Sequence, residues 1–171
     1  FFKQKTAYDI PLRLVGSEMC IRDRGYVKII GRKKEILITS AGKNIAPVEV
    51  EDLIKPHQLI GQVCVVGDGM KYLTALIVLD GDGGAEAWAS ENNVEYSIAT
   101  MSKDQSVIDA IQKQVDEANS QVAQVQQIKK FVVLEKEWTD SSGELTPTLK
   151  LKRNVIAEMY NDEIESMYEE G

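Results

Sequence analysis

The stretch GRKKEILITSAGKNIAPVEVE, Gly31 to Glu51, decides how this chain is read. Within it, Ile36-Leu37-Ile38 is apolar and mostly β-branched, as a strand requires. Just upstream, Tyr26 to Ile30 (YVKII) is a second run of the same kind, and Gly31-Arg32-Lys33-Lys34 lies between the two as a polar turn. Two such runs around a Gly-bearing turn predict a small β-hairpin. Thr39 to Pro47 is a loop by composition. Pro47 suits the first turn of a helix, where a missing N–H costs nothing. Glu49, Glu51 and Asp52 put negative charge at that helix start, complementing its dipole. The helix should stop before Pro56.

Downstream, Gln62 to Val66 and Tyr72 to Leu79 read as strands joined by a turn at Gly67-Asp68-Gly69. TALIVL, Thr74 to Leu79, is almost continuously apolar, which predicts a strand covered on both faces. A Gly-rich loop at Asp80 to Gly84 leads into a short helix, Ala85 to Glu91. A longer helix is predicted over Asp104 to Gln126, where Val107, Ile111, Val115, Ala118, Val122 and Val125 form one apolar stripe. Phe131 to Leu134 is a further strand, Trp138 to Leu149 a loop, and Leu151 to Glu169 a terminal helix. Val155, Ile156, Met159, Tyr160, Ile164 and Met167 lie along one side of that helix. The expected fold class is α+β: a short hairpin plus a roughly three-stranded sheet flanked by helices.

Bulk properties exclude several functions. The chain has 171 residues, 43% of them hydrophobic, enough for one modest core. Its formal net charge of −7 argues against a nucleic-acid partner, because phosphate neutralisation needs clustered Lys and Arg. No apolar run approaches the roughly 20 residues of a membrane helix. Cys20 and Cys64 are the only cysteines and are far apart, so neither a disulfide framework nor a zinc site is expected, and a reducing, cytoplasmic setting is the default. Residues 1–23, FFKQKTAYDIPLRLVGSEMCIRD, show neither helical period nor strand alternation. They resemble peptides translated from a sequencing adapter and are read as a non-native or disordered leader, with the domain proper running over residues 24–171.

Candidate chemistry is sparse. The DGDGG run at Asp80 to Gly84 lacks the acidic spacing and closing Glu of a calcium loop, and it makes no GxGxxG or Walker pattern. No metal site is expected. His57, the only histidine, has no Ser or Cys motif around it and is read as a solvated residue after the helix. Two segments stand out: Gly31 to Glu51, and GELTPTLKLKR, Gly143 to Arg153. Both are marked by Gly or Pro and carry cations in loops, where function concentrates. From the residues alone, ordinary turn chemistry with exposed lysines explains them equally well.

Taken together, the two segments resemble the hinge-bearing motif and the C-terminal catalytic-lysine motif of the adenylate-forming superfamily, in the right order, with the right strands between. SAGKNIAP and TPTLKLKR look most like the long-chain fatty acyl-CoA synthetase branch. The resemblance implies a small C-terminal lid domain that lacks the large N-terminal adenylation domain and is inert alone. The implied reaction forms an acyl-adenylate from a fatty acid and ATP with Mg2+, then a thioester with CoA, and the lid rotates between the halves. Lys150 is implied as the adenylation lysine, Lys34 as the hinge, and Arg32 as a residue near the nucleotide. Gly42 is implied as the glycine that lets pantetheine pass, with Lys43 and Asn44 beside it as CoA contacts. Lys152 and Arg153 are read as helix cations near phosphate or solvent. Many superfamily members have Gly before the lysine; this chain has Leu149. Fatty-acid enzymes often work at membrane surfaces, so the cytoplasmic setting allows peripheral contact with the inner face of a membrane, although no basic amphipathic helix shows it. A non-catalytic binding module, or a synthetase acting on another carboxylic acid, are the alternatives.

Overall fold

The computed structural model describes residues 35–169 in full and the backbone of residues 17–22 and 26–32. Three strands form the central sheet, in the order β5 (Ile60–Val66), β6 (Leu73–Leu79), β7 (Ile128–Leu134). β5 and β6 are antiparallel, and β6 and β7 are parallel. All seven residues of the middle strand β6 are buried, as the continuous apolar run predicts.

Strand alternation divides the core in two. Val63, Val65, Ala75 and Ile77 point to one face, where α1 (Pro47–Ile54), α2 (Gly84–Asn92) and α4 (Gln105–Ser120) cover them. Cys64, Leu76 and Val78 point to the other, against Trp138, Leu145, Ile156, Ile164 and Met167. The second face is thus roofed by the segment that carries Lys150. α6 (Asn161–Glu169) is tied down by Tyr72, whose hydroxyl donates to the Met167 carbonyl, and by the Tyr168 hydroxyl, which donates to the Tyr72 carbonyl.

Three expectations are corrected. Tyr26–Arg32 (β2) pairs antiparallel with Ser17–Arg22 (β1), inside the segment read as having no strand, and not with Ile36 to Ile38. Leu37–Ile38 (β3) instead pairs with Asn44–Ile45 (β4), because the chain reverses at Thr39–Lys43 through Gly42 at φ +72. The long helix α4 ends at Ser120, not Gln126. From the last turn of α4 the Asn119 side-chain amide bonds both the N–H and the C=O of Ile128, which ties the start of β7 to the helix end and leaves no room for the helix to run on. Val125 is consequently half exposed in a 3-10 turn, Gln124–Gln126. The terminal helix is two helices, α5 (Arg153–Met159) and α6, broken at Tyr160 (φ −111, ψ 30). A short helix α3 (Ile98–Met101), without periodic signal, places Met101 in the core.

The Asp80–Gly84 loop is a structural cap: the Asp80 carboxylate accepts from the Gly84 N–H at 2.8 Å, at the start of α2. A Cβ on Gly84 would lie 2.2 Å from the Gln58 carbonyl oxygen, so glycine is required there for close approach. His57 is half-buried rather than freely solvated; its Nδ1 accepts from the Leu59 N–H, and burial lowers its pKa.

Candidate functional site

Lys150 sits on a closed hairpin loop. At its root the Lys152 N–H donates to the Glu144 carbonyl at 2.8 Å, and Leu145 and Leu151 form an antiparallel bridge. Further out, the Thr146 N–H donates to the Lys150 carbonyl, the Lys150 N–H to Thr146 Oγ1, and the Leu149 N–H to the Thr146 carbonyl. Five residues, Thr146 to Lys150, are therefore fixed by their own backbone. The Lys150 side chain is exposed, and its ammonium has no hydrogen bond or ion pair among the described residues. An exposed point charge thus hangs from a loop held by its own backbone bonds.

The root is pinned from below. Glu144 is 2% exposed and accepts from Ser142 and from the Tyr160 hydroxyl. Burial pushes its carboxyl up, but these bonds and the backbone amides outweigh it, and its pKa lies below the ordinary glutamate value. Leu149 adopts φ +56 while 69% exposed. That left-handed backbone strains any residue with a Cβ, which explains why glycine suits this place. Leu149→Gly is expected to raise the domain's unfolding free energy by about 0.5–1 kcal/mol, whereas β-branched Leu149→Val lowers it; urea titration of the two variants checks both signs.

Sequence reading missed the strongest contact of the site. Glu51 is not merely a helix-start charge and Arg153 does not face solvent. Arg153 Nη1 and Nη2 each donate to one Glu51 carboxylate oxygen at 2.7 Å, a bidentate pair. Glu51 is 1% exposed and also accepts from the Val65 N–H at 2.8 Å. Arg153 lies against the Cys64 thiol, Nη1 to Sγ 3.6 Å; burial pushes that thiol's pKa up to about 12. For Arg153, burial pulls the pKa down but the Glu51 carboxylate more than offsets it, so the guanidinium stays charged. The signal was present: the buried residues of α1 are Pro47, Val50, Glu51 and Ile54, a helical i, i+3, i+4, i+7 stripe with a carboxylate in it. Such a charge needs a buried partner.

This pair joins the ends of the two motifs. Beside it lies a cleft of about 350 Å³ whose walls include Glu35, Lys55, Lys150 and Arg153. A second cleft of about 360 Å³ shares Glu35 and Arg153 and runs along β3 and α5. Glu35 directly follows Lys34; Lys34 and the Arg32 side chain lie outside the described residues.

Gly42 and Lys43 are exposed on the β3–β4 loop, and Asn44, also exposed, opens β4. That loop is anchored to the β5–β6 turn: the Ser40 N–H donates to the Met70 carbonyl, the Gly69 N–H to the Ile38 carbonyl, and the Ile38 N–H to Asp68. A Cβ on Gly42 would meet nothing within 4 Å. Within this domain its backbone torsion, not crowding, calls for glycine. Among the described residues no group of three or more His, Cys, Asp or Glu could hold a metal ion.

The family model described as AMP-binding enzyme C-terminal domain matches residues 34–171. The long-chain-fatty-acid–CoA ligase FadD15 of Mycobacterium tuberculosis is 39% identical over 150 residues, which are 86% of this chain and 25% of that protein. The long-chain-fatty-acid–CoA ligase ACSBG2 of Gallus gallus is 40% identical over 169 residues, covering 87% of this chain and 22% of its own length. The chain therefore spans about a quarter of the curated relatives it matches. Among solved structures, the adenylation domain of a carboxylate reductase from Mycobacterium chelonae superposes with TM-score 0.69 at 21% identity, over 90% of this chain and 22% of that one. The A domain of a carboxylic acid reductase from Segniliparus rugosus, solved with AMP and a co-purified carboxylic acid, gives 0.65 at 18%, over 91% and 23%. Both likenesses concern the fold. With the two motifs joined through Glu51 and Arg153 and the family model matched over residues 34–171, this chain belongs to the AMP-binding enzyme C-terminal domain family.

Proposed function

We propose that this chain is the lid of an ATP-dependent long-chain fatty acid–CoA ligase and that it supplies Lys150 to the adenylation step. The observation that carries this is the shared cleft: Lys150, on its rigid loop, lines the same recess as Glu35, the residue after hinge position Lys34. A lid that turns about Lys34 would thus move a preassembled lysine. The branch assignment rests on relatives at 39% and 40% identity whose names specify long-chain fatty acids.

In this reading the fatty acid carboxylate attacks the α-phosphate of ATP, forming the acyl-adenylate as the bond to the departing pyrophosphate breaks, and the Lys150 ammonium lies between the carboxylate and the α-phosphate. It offsets charge that builds on the oxygens as the phosphorus bond is exchanged. After the lid turns, the exposed Gly42 loop faces the large domain, and CoA passes the open side of Gly42, with Lys43 and Asn44 beside it as contacts, so that its thiol attacks the acyl carbon and AMP leaves. Arg32 reaches the nucleotide. Magnesium, if used, would be held mainly by the large domain; among the described residues no group of three or more His, Cys, Asp or Glu could hold it. Residues 24–171 are the domain in this reading. The enzyme works in the cytoplasm, with membrane contact limited to the inner face where long acyl chains reside. Among the described residues no helix is long and apolar enough to cross a membrane.

Joining this chain to the large domain of a related ligase tests the proposal. Palmitoyl-CoA formation from palmitate, ATP and CoA is expected from the joined protein, with no turnover from either piece alone. Folded, joined protein that forms no acyl-adenylate with any carboxylic acid would overturn it in favour of a binding module. Preference for a short or aryl acid would overturn only the branch.

A further inference from the structure

Glu51 and Arg153 form a costly contact in a place where an apolar pair would serve. Glu51 is 1% exposed, its α1 neighbours Val50 and Ile54 are fully buried, and so is Cys64, whose thiol lies 3.6 Å from Arg153 Nη1. Buried ion pairs often give no net stability over well-packed apolar residues of similar volume. What they supply is a fixed geometry: two parallel N–H···O bonds of 2.7 Å allow one relative placement of the groups they join. Here one partner is on α1, at the end of the motif that begins beside the hinge. The other is three residues from Lys150, so the chain between them can span at most about 11 Å. The Val65 N–H, on the outer edge of β5, holds the same carboxylate and ties it to the sheet.

We infer that Glu51 and Arg153 are positioning residues, which set where the Lys150 loop stands relative to the hinge-side helix. The inference rests on the proposed role of Lys150 and adds the part that aims it. Neither residue touches substrate. Their effect passes through Lys150 alone, and a misplacement near 1 Å at a reacting group can cost about 100-fold.

The test uses the joined enzyme with both half-reactions measured separately: pyrophosphate exchange for adenylation, and thioester formation from preformed palmitoyl-adenylate. Glu51→Gln with Arg153→Met removes both charges yet leaves Val65 an acceptor oxygen. Adenylation is expected to fall about 10- to 100-fold, and thioester formation to stay within about twofold. Arg153→Lys, which keeps the charge and loses the fork, should fall in between. Ile77→Val, in the core on the sheet face away from the Lys150 loop, serves as a purely structural control and should leave the ratio of the two half-reactions unchanged. Adding the double change to Lys150→Ala should cost adenylation nothing further, since residues that act through one group are not additive. Equal loss in both half-reactions, or a further loss in the Lys150→Ala background, would overturn the inference. Should Lys150→Ala itself leave adenylation intact, the failure would lie in the role of Lys150 and not in the aiming of it.

Discussion

In an enzyme joined to its large domain, Lys150→Ala is expected to slow acyl-adenylate formation by about 100- to 1,000-fold. Thioester formation from preformed adenylate should stay within a few-fold of the parent. The magnitude follows from what one well-placed donor at a developing oxyanion is worth, about 2.7–4 kcal/mol. The asymmetry follows from the chemistry. A carboxylate and a triphosphate repel each other, and a compact ammonium on a long stem relieves that repulsion. A thiol attacking an acyl-adenylate, with the lid turned away, meets no such problem at Lys150. The variant is clean because the Lys150 ammonium has no partner among the described residues and the loop is held by backbone bonds to Thr146. Unfolding free energy should therefore change by no more than about 0.5 kcal/mol. Pyrophosphate exchange and single-turnover thioester assays separate the steps, and equal losses in the two would remove Lys150 from its role.

How much of this was legible in the sequence depended on the range of the interaction concerned. β6 was legible because a middle strand is apolar on both faces, and TALIVL says so locally. The loop at Gly42 was legible as a loop, and Pro47 as a helix start. Pairing was not: Leu37–Ile38 could have joined Tyr26–Arg32 as readily as Asn44–Ile45, and the choice was made by a left-handed Gly42 and by Asp68, thirty residues downstream. Helix ends failed for a similar reason. The apolar stripe of α4 continues on paper through Val122 and Val125, but Asn119 has a better partner in Ile128. Lys150 was singled out by motif alone, and the structure adds that its neighbour Leu149 sits in a left-handed backbone while 69% exposed. The Glu51–Arg153 pair spans 102 residues and was missed because Glu51 has a respectable local explanation as a first-turn acid. The spacing of Pro47, Val50, Glu51 and Ile54 contradicted that explanation, and a carboxylate on an apolar stripe outranks a dipole effect worth under about 1 kcal/mol.

That ranking makes the second large prediction. Glu51→Ala in this chain should lower the unfolding free energy by about 3–5 kcal/mol, the range for breaking a buried pair from one side. Three groups lose their acceptor at once: both Arg153 nitrogens and the Val65 N–H. The guanidinium cannot shed its proton to escape, since arginine stays charged even when buried. It must instead pull out toward the cleft beside Lys150, which would carry the α5 start with it. Removing both charges while keeping an acceptor, through Glu51→Gln with Arg153→Met, leaves no buried charge behind and should recover most of the loss. Urea unfolding of the three proteins compares the costs directly. A single variant as stable as the parent would mean that the carboxylate is not buried as described. A double variant no better than Glu51→Ala would mean that the lost stability came from packing at Glu51, and not from an unpaired guanidinium. The intermediate ordering, parent above double above single, is the one that a directional rather than merely cohesive contact predicts: the pair costs little to replace, much to halve, and its geometry is what the fold keeps it for.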